Sequence, residues 1–477
     1  MTASRWNPPA GSIPTLGVPS LRDVRSAHLV GIGGAGMRNL ARLLRARGLG
    51  VSGSDLKASA GLDELRASGI TVHVGHDPAH VGDADVLIVS SAISDANAEL
   101  RCAREAGVPV WARQQAVAAL AEGARSIAVS GTHGKTTSTS MLAHVLTSAE
   151  IDPTYLIGGD LNESGSGARH GSSDLFLFEA DESDGSFLLA SPWVGLVTNI
   201  ETDHVDFYPG GQEEIERAFA DFVWGCGEVV AWGDDPAVRR VLAMAGRETV
   251  TYGTGPSNAL IVSVGELGPR GASGSLRLAD GRNVELRLSV DGPHQLLNAA
   301  GAIAVAGFAG VDAAVAADAL EGFSGVHRRF EYRGSARGAD FFDDYGHNPT
   351  EMEVTLQTAR RRGPARLIAL VQPHRYSRVQ AMWRELGSSV TEADLIVVTD
   401  VFGAGQAPVP GVTGERVVEG IRLADDRKEV VYLPHRQEVI DYLDLVVRPG
   451  DLVVTMGCGD VWMLGDATLE RLRAGEA

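Results

Sequence analysis

Lysine, cysteine and long apolar runs are scarce in this 477-residue chain. Its only lysines are Lys57, Lys135 and Lys428, so arginine carries nearly all of the positive charge. Acidic residues outnumber basic ones and give a formal charge of −19 at pH 7. This charge argues against a nucleic-acid or membrane-surface partner, because both require a basic face. Local groups of basic residues are therefore candidates for binding anions.

The three cysteines, Cys102, Cys226 and Cys458, are too few and too scattered for a disulfide framework or a metal site, which favours a reducing cytoplasm. No apolar run has the length of a membrane span, and the first residues lack the apolar core of a signal peptide. Length and composition predict two to four domains of an α/β enzyme, with 44% hydrophobic residues and 58 glycines against 20 prolines. The Pro/Gly-rich residues 1–22 are expected to form a flexible leader.

Lys135 lies in a glycine-rich segment between an apolar strand, Ile127 to Val129, and a helical pattern. We call residues 130–137 (Ser-Gly-Thr-His-Gly-Lys-Thr-Thr) the Lys135 loop. Such a turn lets backbone N–H groups converge on an anion at a helix N-terminus, while the lysine neutralises phosphates and the Thr136 hydroxyl binds Mg²⁺. Val129 replaces the first glycine of the full G-x-x-x-x-G-K-T pattern. A glycine-rich turn with an incidental lysine is the alternative, but the flanking strand and helix favour a phosphate loop.

An earlier glycine-rich loop, residues 31–36 (Gly-Ile-Gly-Gly-Ala-Gly), follows a short apolar strand and precedes a helical pattern that ends near Arg47. Residues 31–36 match the G-x-G-x-x-G fingerprint, and Asp55 supplies the acidic residue expected at the end of the next strand. This pattern predicts a doubly wound domain at residues 23–125. Alone the fingerprint indicates NAD, yet its amides and helix dipole accept any diphosphate. An NAD-dependent dehydrogenase is thus one alternative, and it leaves the Lys135 loop unexplained.

In the predicted central domain, residues 126–325, acidic residues follow two apolar strands. The strand 175–178 ends in a segment from Glu179 to Asp184, and the strand 194–197 is followed by Glu201, Asp203, His204 and Asp206. Because ligands of open α/β sheets gather at the carboxyl ends of strands, both clusters should face the Lys135 loop and offer oxygen donors to Mg²⁺. For Glu182, Asp184 and Asp206, a solvated loop charge is an equal alternative. His294 and Asn298 share one face of a later helix.

The last predicted domain, residues 326–477, alternates helical patterns with apolar strands at 366–371, 394–399 and 451–456. Arg375 and Arg378 follow the first of these strands at helix-turn spacing. They form a candidate carboxylate clamp in an otherwise acidic chain, with ordinary surface arginines as the alternative.

Eight motifs together resemble the Mur ligase family, in family order and over essentially the whole chain after the leader. They are GIGGAGM at 31–37, VSSAI at 89–93, SGTHGKTT at 130–137, EADESDGSF at 179–187, TNIExDHxDxY at 199–208, HRRFE at 327–331, DDYGHxPTE at 343–351 and QPHRYSR at 372–378. His133 and GIGGAGM make the chain most similar to the branch that adds L-alanine to UDP-N-acetylmuramate. The resemblance implies an α/β fold of three domains: a Rossmann-like UDP-binding domain, a central P-loop ATPase-like domain and a Rossmann-like C-terminal domain.

The activity that the resemblance implies is ATP-dependent ligation of L-alanine to the lactyl carboxylate of UDP-N-acetylmuramate, with Mg²⁺ as cofactor. This is the first amino-acid addition in the synthesis of the peptidoglycan precursor in the cytoplasm. The residue types agree with such chemistry, because an ionised carboxylate resists attack by an amine and must first be phosphorylated. The alanine amine would then attack the acyl phosphate.

By position, the resemblance also implies the residues of each site. The UDP-sugar would be held by Gly33, Ala35, Gly36, Asp55 and Ser91. ATP would be held by Gly131, Thr132, His133, Gly134, Lys135, Thr136, Thr137, His294, Asn298 and Arg329. The metal would be held by Thr136, Glu179 and His204, and L-alanine by Tyr345, His347, Arg375 and Arg378. The catalytic residues would be Lys135, His204, Arg329 and His347.

Four positions depart from the family pattern: Gln295, Asn348, Phe402 and Gln406. They bear on amino-acid selectivity and the proton path, and they motivate a second alternative, a non-catalytic nucleotide-binding regulator. The intact phosphate, metal and clamp residues argue against that alternative. Because Asn348 precedes Pro349, we expect it to cap a helix, leaving His347 or His374 to take a proton from the alanine ammonium.

Overall fold

The structure, a computed structural model, describes residues 6–9, 12–90, 93–162, 164–204 and 207–475. Three largely parallel β-sheets with surrounding helices confirm the predicted α/β class. The first two sheets lie in one compact unit that ends at Gly325, and the third lies in a second unit that begins at Val326 and includes residues 267–270. The domain boundaries given above stay predictions. No helix in the described ranges is both long and apolar enough to cross a membrane.

The first sheet has five parallel strands in the order β3-β2-β1-β4-β5. Because β2 and β4 lie on opposite sides of β1, the loop after β1 opens at the point where strand order reverses, the usual ligand position of such sheets. The strands are β1 (Ser26–Val30), β2 (Gly50–Asp55), β3 (Thr71–Val74), β4 (Val86–Val89) and β5 (Val110–Ala112). The helices are α1 (Ala35–Ala46), α2 (Ala60–Ala67), α3 (Ala98–Ala106) and α4 (Arg113–Ala121).

The second sheet has ten strands in the order β15-β14-β13-β12-β11-β10-β6-β9-β7-β8. Its central neighbours β10, β6 and β9 are parallel, so the segments that follow them leave the same edge. The strands are β6 (Arg125–Ser130), β7 (Thr154–Leu156), β8 (Ala168–Arg169), β9 (Leu175–Glu179), β10 (Val194–Val197), β11 (Glu228–Trp232), β12 (Val250–Gly253), β13 (Leu260–Gly268), β14 (Gly271–Arg277) and β15 (Asn283–Leu288). The helices are α5 (Lys135–Ser148), α6 (Gln212–Gly225), α7 (Pro236–Ala245), α8 (Pro293–Phe308) and α9 (Ala313–Glu321).

The third sheet has the order β16-β17-β21-β18-β19-β20, and β16 runs antiparallel to β17 while the other pairs are parallel. Apolar clusters cover both of its faces, one around Leu356 and Trp383 and the other around Leu443 and Leu472. The strands are β16 (Glu331–Ala336), β17 (Ala339–Asp344), β18 (Arg366–Val371), β19 (Leu395–Val398), β20 (Glu429–Tyr432) and β21 (Asp451–Met456). The helices are α10 (Pro349–Arg361), α11 (Tyr376–Ser389), α12 (Gly414–Ala424), α13 (Arg436–Val446) and α14 (Trp462–Ala474). Short 3₁₀ helices lie at Ile13–Thr15, Pro78–His80 and Ser186–Leu189.

Trp6, in the predicted flexible leader, is anchored. The Trp6 side chain is buried, its indole Nε1 donates to Glu214 Oε1 at 3.1 Å, and its backbone N–H donates to Asp221 Oδ2 at 2.7 Å. The ring also packs 5.6 Å from the ring of Tyr208. Composition indicated flexibility, but a single buried aromatic side chain suffices to fix a short segment.

Candidate active site

The Lys135 loop joins β6 to α5, as predicted, and two glycines shape it. Gly131 and Gly134 have φ values of 136° and 80°, a region of the backbone that suits glycine. A Cβ atom on Gly131 would lie 2.1 Å from Thr198 Oγ1, so only glycine allows the loop to approach the segment that follows β10. The amides of the loop are therefore gathered at the N-terminus of α5, where an anion is favoured.

The Lys135 ammonium makes an ion pair with Glu182. Its Nζ donates to both carboxylate oxygens at 2.8 and 2.9 Å and to the carbonyls of Gly131 and Thr132. Burial acts to lower the pKa of Lys135, but attraction to Glu182 and Asp181 outweighs it and raises that pKa, so the lysine is charged. Glu182 is only 4% exposed, which rules out the alternative of a solvated loop charge at this position.

The segment after β10 supports the Lys135 loop from one side, a role that sequence reasoning missed. The His133 backbone N–H donates to Asn199 Oδ1 at 2.8 Å, and the Thr198 hydroxyl donates to the His133 carbonyl at 2.6 Å. The Glu201 backbone N–H donates to the Thr132 hydroxyl at 2.8 Å. The sequence predicted that this segment faces the Lys135 loop, but which of its residues hold the loop depends on strand neighbours that the sequence does not show.

Two of the three predicted metal ligands lie in contact. The Thr136 hydroxyl donates to Glu179 Oε2 at 3.1 Å, and Glu179 Oε1 accepts the Gly158 N–H at 2.6 Å. His204 has a positive φ of 53°, which is unusual for this residue type and common at functional sites. Burial acts to raise the pKa of the neighbouring Asp181, but the charges of Lys135 and Arg113 outweigh it and lower that pKa. The Thr136 hydroxyl and the Glu179 carboxylate are hard oxygen donors, so these two residues fit Mg²⁺.

Asn298 packs against the Lys135 loop from α8. Its Oδ1 accepts the Ser138 hydroxyl at 3.2 Å, and a Cβ on Gly134 would lie 2.8 Å from the same oxygen. His294 lies one turn earlier on α8. The structure therefore brings Asn298 to the predicted ATP residues, while contact of either side chain with ATP stays a prediction.

The first glycine loop is held by the end of β2. The Gly31 and Ile32 N–H groups donate to the Ser54 carbonyl at 2.9 and 3.0 Å, and the Gly33 N–H donates to Asp55 Oδ2 at 2.9 Å. Asp55 thus fixes the loop in place, while its contact with the UDP-sugar stays a prediction, and Ala35 begins α1. Ser91, the remaining residue assigned to the UDP-sugar, lies outside the described residues.

Arg113, which sequence reasoning did not assign to a site, links this loop to the acidic segment after β9. A Cβ on Gly36 would lie 2.8 Å from its Nη1, and its Nη2 lies 3.6 Å from Asp181 Oδ2. Arg113, Glu179 and Asp181 line the same pocket. A single guanidinium therefore lies between the predicted diphosphate loop and the predicted metal residues.

A buried carboxylate surrounded by histidines supports β2 from the other side. Glu99 accepts hydrogen bonds from Ser54 at 2.5 Å and from His76 and His80 at 3.0 and 2.9 Å. Burial acts to raise the pKa of Glu99, but the His28 ring, whose Nε2 lies 3.8 Å from Oε1, and hydrogen bonds from Ser54 and His80 outweigh it and lower that pKa to about 2. Because Ser54 also carries the carbonyl that holds the first glycine loop, Glu99 fixes the strand end beneath that loop.

We expect Glu99→Gln to lower the free energy of unfolding at pH 7 by about 3 kcal/mol, since the native pKa lies well below that of an unfolded glutamate. Because the pKa of Glu99 is lowered from 4.5 to about 2 on folding, the ionised carboxylate stabilises the protein fully above about pH 4.5. This contribution is lost as pH falls from there towards 2. Urea unfolding at pH 7, 5 and 3.5 should therefore show the difference between variant and parent shrinking with falling pH. A difference that stays constant across this range would contradict an ionised Glu99.

In the second unit, several predicted alanine-site residues meet at the edge of the third sheet. The Tyr345 and His347 rings lie 5.8 Å apart, and the His347 and His374 rings lie 5.2 Å apart. Arg378 is buried, and its Nη1 donates to His374 Nδ1 at 3.2 Å, so it is not an ordinary surface arginine.

Two other arginines of this unit were assigned to sites. The Arg329 guanidinium lies 5.2 Å from the Tyr345 ring centroid and 3.9 Å from Glu351 Oε1, while its role towards ATP stays a prediction. Arg375 begins α11 with a φ of 63°, and its N–H donates to the Phe402 carbonyl at 2.9 Å. This strained backbone is typical of a functional position.

Asn348 caps α10, which confirms the helix-cap hypothesis. Its side-chain Oδ1 accepts the Glu351 N–H at 3.0 Å, and Pro349 occupies the first helical position. The Glu351 carboxylate in turn accepts the His347 N–H at 3.1 Å. The cap therefore orders the backbone on which His347 lies.

We expect Asn348→Ala to cost about 1 kcal/mol of stability because a backbone donor of the first helical turn loses its acceptor. Asn348→Ser, which keeps an acceptor, should retain most of the stability and leave the pH dependence of turnover unchanged. Chemical denaturation and pH-rate profiles of the two variants check this. A shift of the acidic limb in the serine variant would instead show that Asn348 takes part in the reaction.

The fold and these sites define a nucleotide-binding α/β protein that has two separate glycine loops and an acidic, oxygen-rich site beside the second. Three family models match it: Mur ligase family, catalytic domain, at residues 26–125; Mur ligase middle domain at residues 129–306; and Mur ligase, glutamate ligase domain, at residues 328–459. The chain belongs to the Mur ligase family.

Similar proteins agree with this assignment. A Rubrobacter xylanophilus protein called UDP-N-acetylmuramate--L-alanine ligase is 44% identical over 453 residues, 93% of this chain and 99% of its own. A Kineococcus radiotolerans protein of the same name is 45% identical and covers 93% of this chain and 96% of its own. The crystal structure of UDP-N-acetylmuramate-alanine ligase from Thermotoga maritima has a TM-score of 0.80 at 28% identity and covers 94% of this chain and 99% of its own.

Proposed function

We propose that this protein joins L-alanine to the lactyl carboxylate of UDP-N-acetylmuramate, with ATP as cosubstrate and Mg²⁺ as cofactor. The observation that carries the proposal is the Lys135 loop with Thr136 in contact with Glu179, in a chain that holds a second, separate glycine loop. A dehydrogenase has no use for such a loop. The names of the relatives supply the particular substrates. Because ATP is the cosubstrate and the three cysteines are free, we also propose a cytoplasmic location.

The first step would be transfer of the γ-phosphoryl group to the substrate carboxylate. Lys135 would leave Glu182 for the phosphate oxygens and stabilise the negative charge of the transition state. Thr136, Glu179 and His204 would hold Mg²⁺, which neutralises phosphate charge when bound. Arg113, beside Gly36, would attract the diphosphate of the sugar nucleotide to the first glycine loop.

The second step would be attack of the alanine amine on the acyl phosphate, which forms the amide bond, breaks the bond to the phosphate oxygen and releases inorganic phosphate. Arg375 and Arg378 would hold the alanine carboxylate, because a guanidinium recognises a carboxylate through two parallel hydrogen bonds. The ammonium must lose a proton before it attacks, and His347 or His374, whose rings lie 5.2 Å apart, would accept it. Asn348 would act only through the backbone of α10.

The test is phosphate release measured with ATP, Mg²⁺, UDP-N-acetylmuramate and L-alanine, leaving out one component at a time and replacing alanine by glycine or serine. Release should require all four components. Turnover that is independent of the amino acid, or nicotinamide binding that UDP displaces, would contradict the proposal. Mass spectrometry of the product identifies the new amide.

A further inference from the structure

A cysteine and two histidines meet at the carboxyl edge of the third sheet. One potential ligand atom from each of His347, His374 and Cys458 lies within 4.8 Å of those of the other two. No other trio of histidine, cysteine or acidic residues within the described ranges meets that distance. All three residues are half-buried.

The order of the strands produces this group. His347 follows β17, Cys458 follows β21 and His374 follows β18, which are three neighbouring parallel strands. Their last residues pair across the sheet, Asp344 with Met456 and Met456 with Val371, so the three strands end level with one another. Each ligand lies two or three residues beyond its strand. The three residues therefore meet because of the strand order. Their wide separation along the chain explains why the sequence did not indicate a metal site.

We propose that His347, His374 and Cys458 bind a soft divalent cation of the zinc type at the amino-acid site. Two imidazoles and a thiolate are a donor set that Zn²⁺ favours, and three protein ligands leave one position of a tetrahedral ion open. Mg²⁺ prefers oxygen donors and is not expected here. The site differs in ligand chemistry from the proposed magnesium residues beside the Lys135 loop.

The surroundings of His347 support ligation. Its Nδ1 donates to the Tyr345 carbonyl at 3.1 Å and lies 3.6 Å from Glu351 Oε2, which places the ring proton on Nδ1 and a lone pair on Nε2. A metal-bound histidine characteristically has this arrangement, with one nitrogen directed to the ion and the other donating to a carbonyl or carboxylate.

Two features limit the affinity. A cysteine binds a cation as the thiolate, so the cation must displace the thiol proton of Cys458, which weakens binding. The Arg378 guanidinium donates to His374 Nδ1, so the cation must displace this hydrogen bond to reach that lone pair, and the guanidinium also adds a positive charge. We therefore infer a regulatory or inhibitory cation rather than one held permanently.

Competition with L-alanine follows from shared residues, and this part rests on the proposed function. His347 is assigned both to L-alanine and to the cation, and Arg378, which is assigned to L-alanine, contacts His374. A bound cation would occupy the imidazole needed for the alanine ammonium. Zinc should therefore inhibit turnover competitively with L-alanine and without effect on the apparent affinity for ATP.

The experiment is titration of the full-length protein with Co²⁺ alone, because cobalt bound to a thiolate gives a charge-transfer band that oxygen ligands do not give. One equivalent should produce the band, Zn²⁺ should abolish it, and excess Mg²⁺ should not. Cys458→Ser and Cys458→Ala should lose the band and bind Zn²⁺ at least about 100-fold more weakly, since even an outer partner is worth 10- to 100-fold. Cys102→Ser, at another half-buried cysteine, is the matched control.

Absence of the band in the parent, or its persistence in both folded Cys458 variants, would overturn the metal site. Melting curves establish that the variants are folded. If the band forms but L-alanine does not reduce it in a protein that ligates alanine, the shared location is wrong. The spectrum does not depend on turnover, so an inactive protein that still binds cobalt would contradict the proposed function and not the metal site.

Discussion

Replacing Lys135 by alanine should abolish ATP-dependent ligation while the protein still binds UDP-N-acetylmuramate. The ammonium is the positive group of the Lys135 loop, and removing one preorganised donor from a phosphoryl-transfer site lowers turnover by about 10³-fold. The first glycine loop is held by Ser54 and Asp55, which have no hydrogen bond to Lys135. Affinity for the sugar nucleotide, measured by calorimetry, should therefore stay within about twofold of the parent.

The ion pair with Glu182 requires a second variant. Lys135→Ala leaves a buried carboxylate without its cation, a change that costs about 3–5 kcal/mol in other proteins. Lys135→Ala combined with Glu182→Gln removes the charge and should recover much of the stability without recovering turnover. Lys428→Ala, whose Nζ donates to the Ala393 carbonyl in the other unit, controls for loss of a lysine. Equal losses of UDP-sugar and ATP affinity in the folded double variant would refute two separate sites.

Arg375→Ala and Arg378→Ala should raise the KM for L-alanine with little effect on the KM for ATP. A hydrogen bond to a charged group contributes about 1.5–3 kcal/mol, so each change should raise that KM by about 10- to 150-fold. Steady-state kinetics with each substrate varied in turn separate the effects. Arg378→Lys keeps the charge but loses the paired donors. Its KM for L-alanine should therefore lie between that of the parent and that of Arg378→Ala.

Arg384→Ala is the matched control for these variants, because Arg384 lies on the same helix, α11, with its guanidinium 4.1 Å from the Trp383 ring centroid. It removes the same charge from the same element and should leave the alanine KM unchanged. If the KM for ATP rises in the Arg375 or Arg378 variants while that for alanine does not, the two arginines form a phosphate site.

Strands and the loops that follow them could be predicted from the sequence because continuous apolar runs and glycine-rich turns are local signals. The strands 366–371 and 451–456 were predicted with the bounds that the structure shows. Asn348 as a helix cap was predictable for the same reason, since Asn-Pro at a helix start acts over four residues.

What could not be predicted is which strands are neighbours, because strand order depends on packing between distant parts of the chain. Glu182 was left undecided between solvent and function until β9 was placed beside β6, which brings it to Lys135. The same holds for Arg113 at Gly36, and for Cys458, which lies far along the chain from both histidines that it meets. The leader residue Trp6 was missed because composition does not reveal a single anchoring side chain.

The scarcity of lysine makes amine chemistry a simple reporter of the nucleotide loop. Lys57 is exposed, Lys428 is half-buried, and Lys135 is held by a carboxylate and two carbonyls. An acylating reagent should therefore modify Lys57 first and Lys135 last, and peptide mapping can follow the three lysines separately. The rate at Lys135 would then measure how often the loop releases its side chain, without a fluorophore or an engineered label.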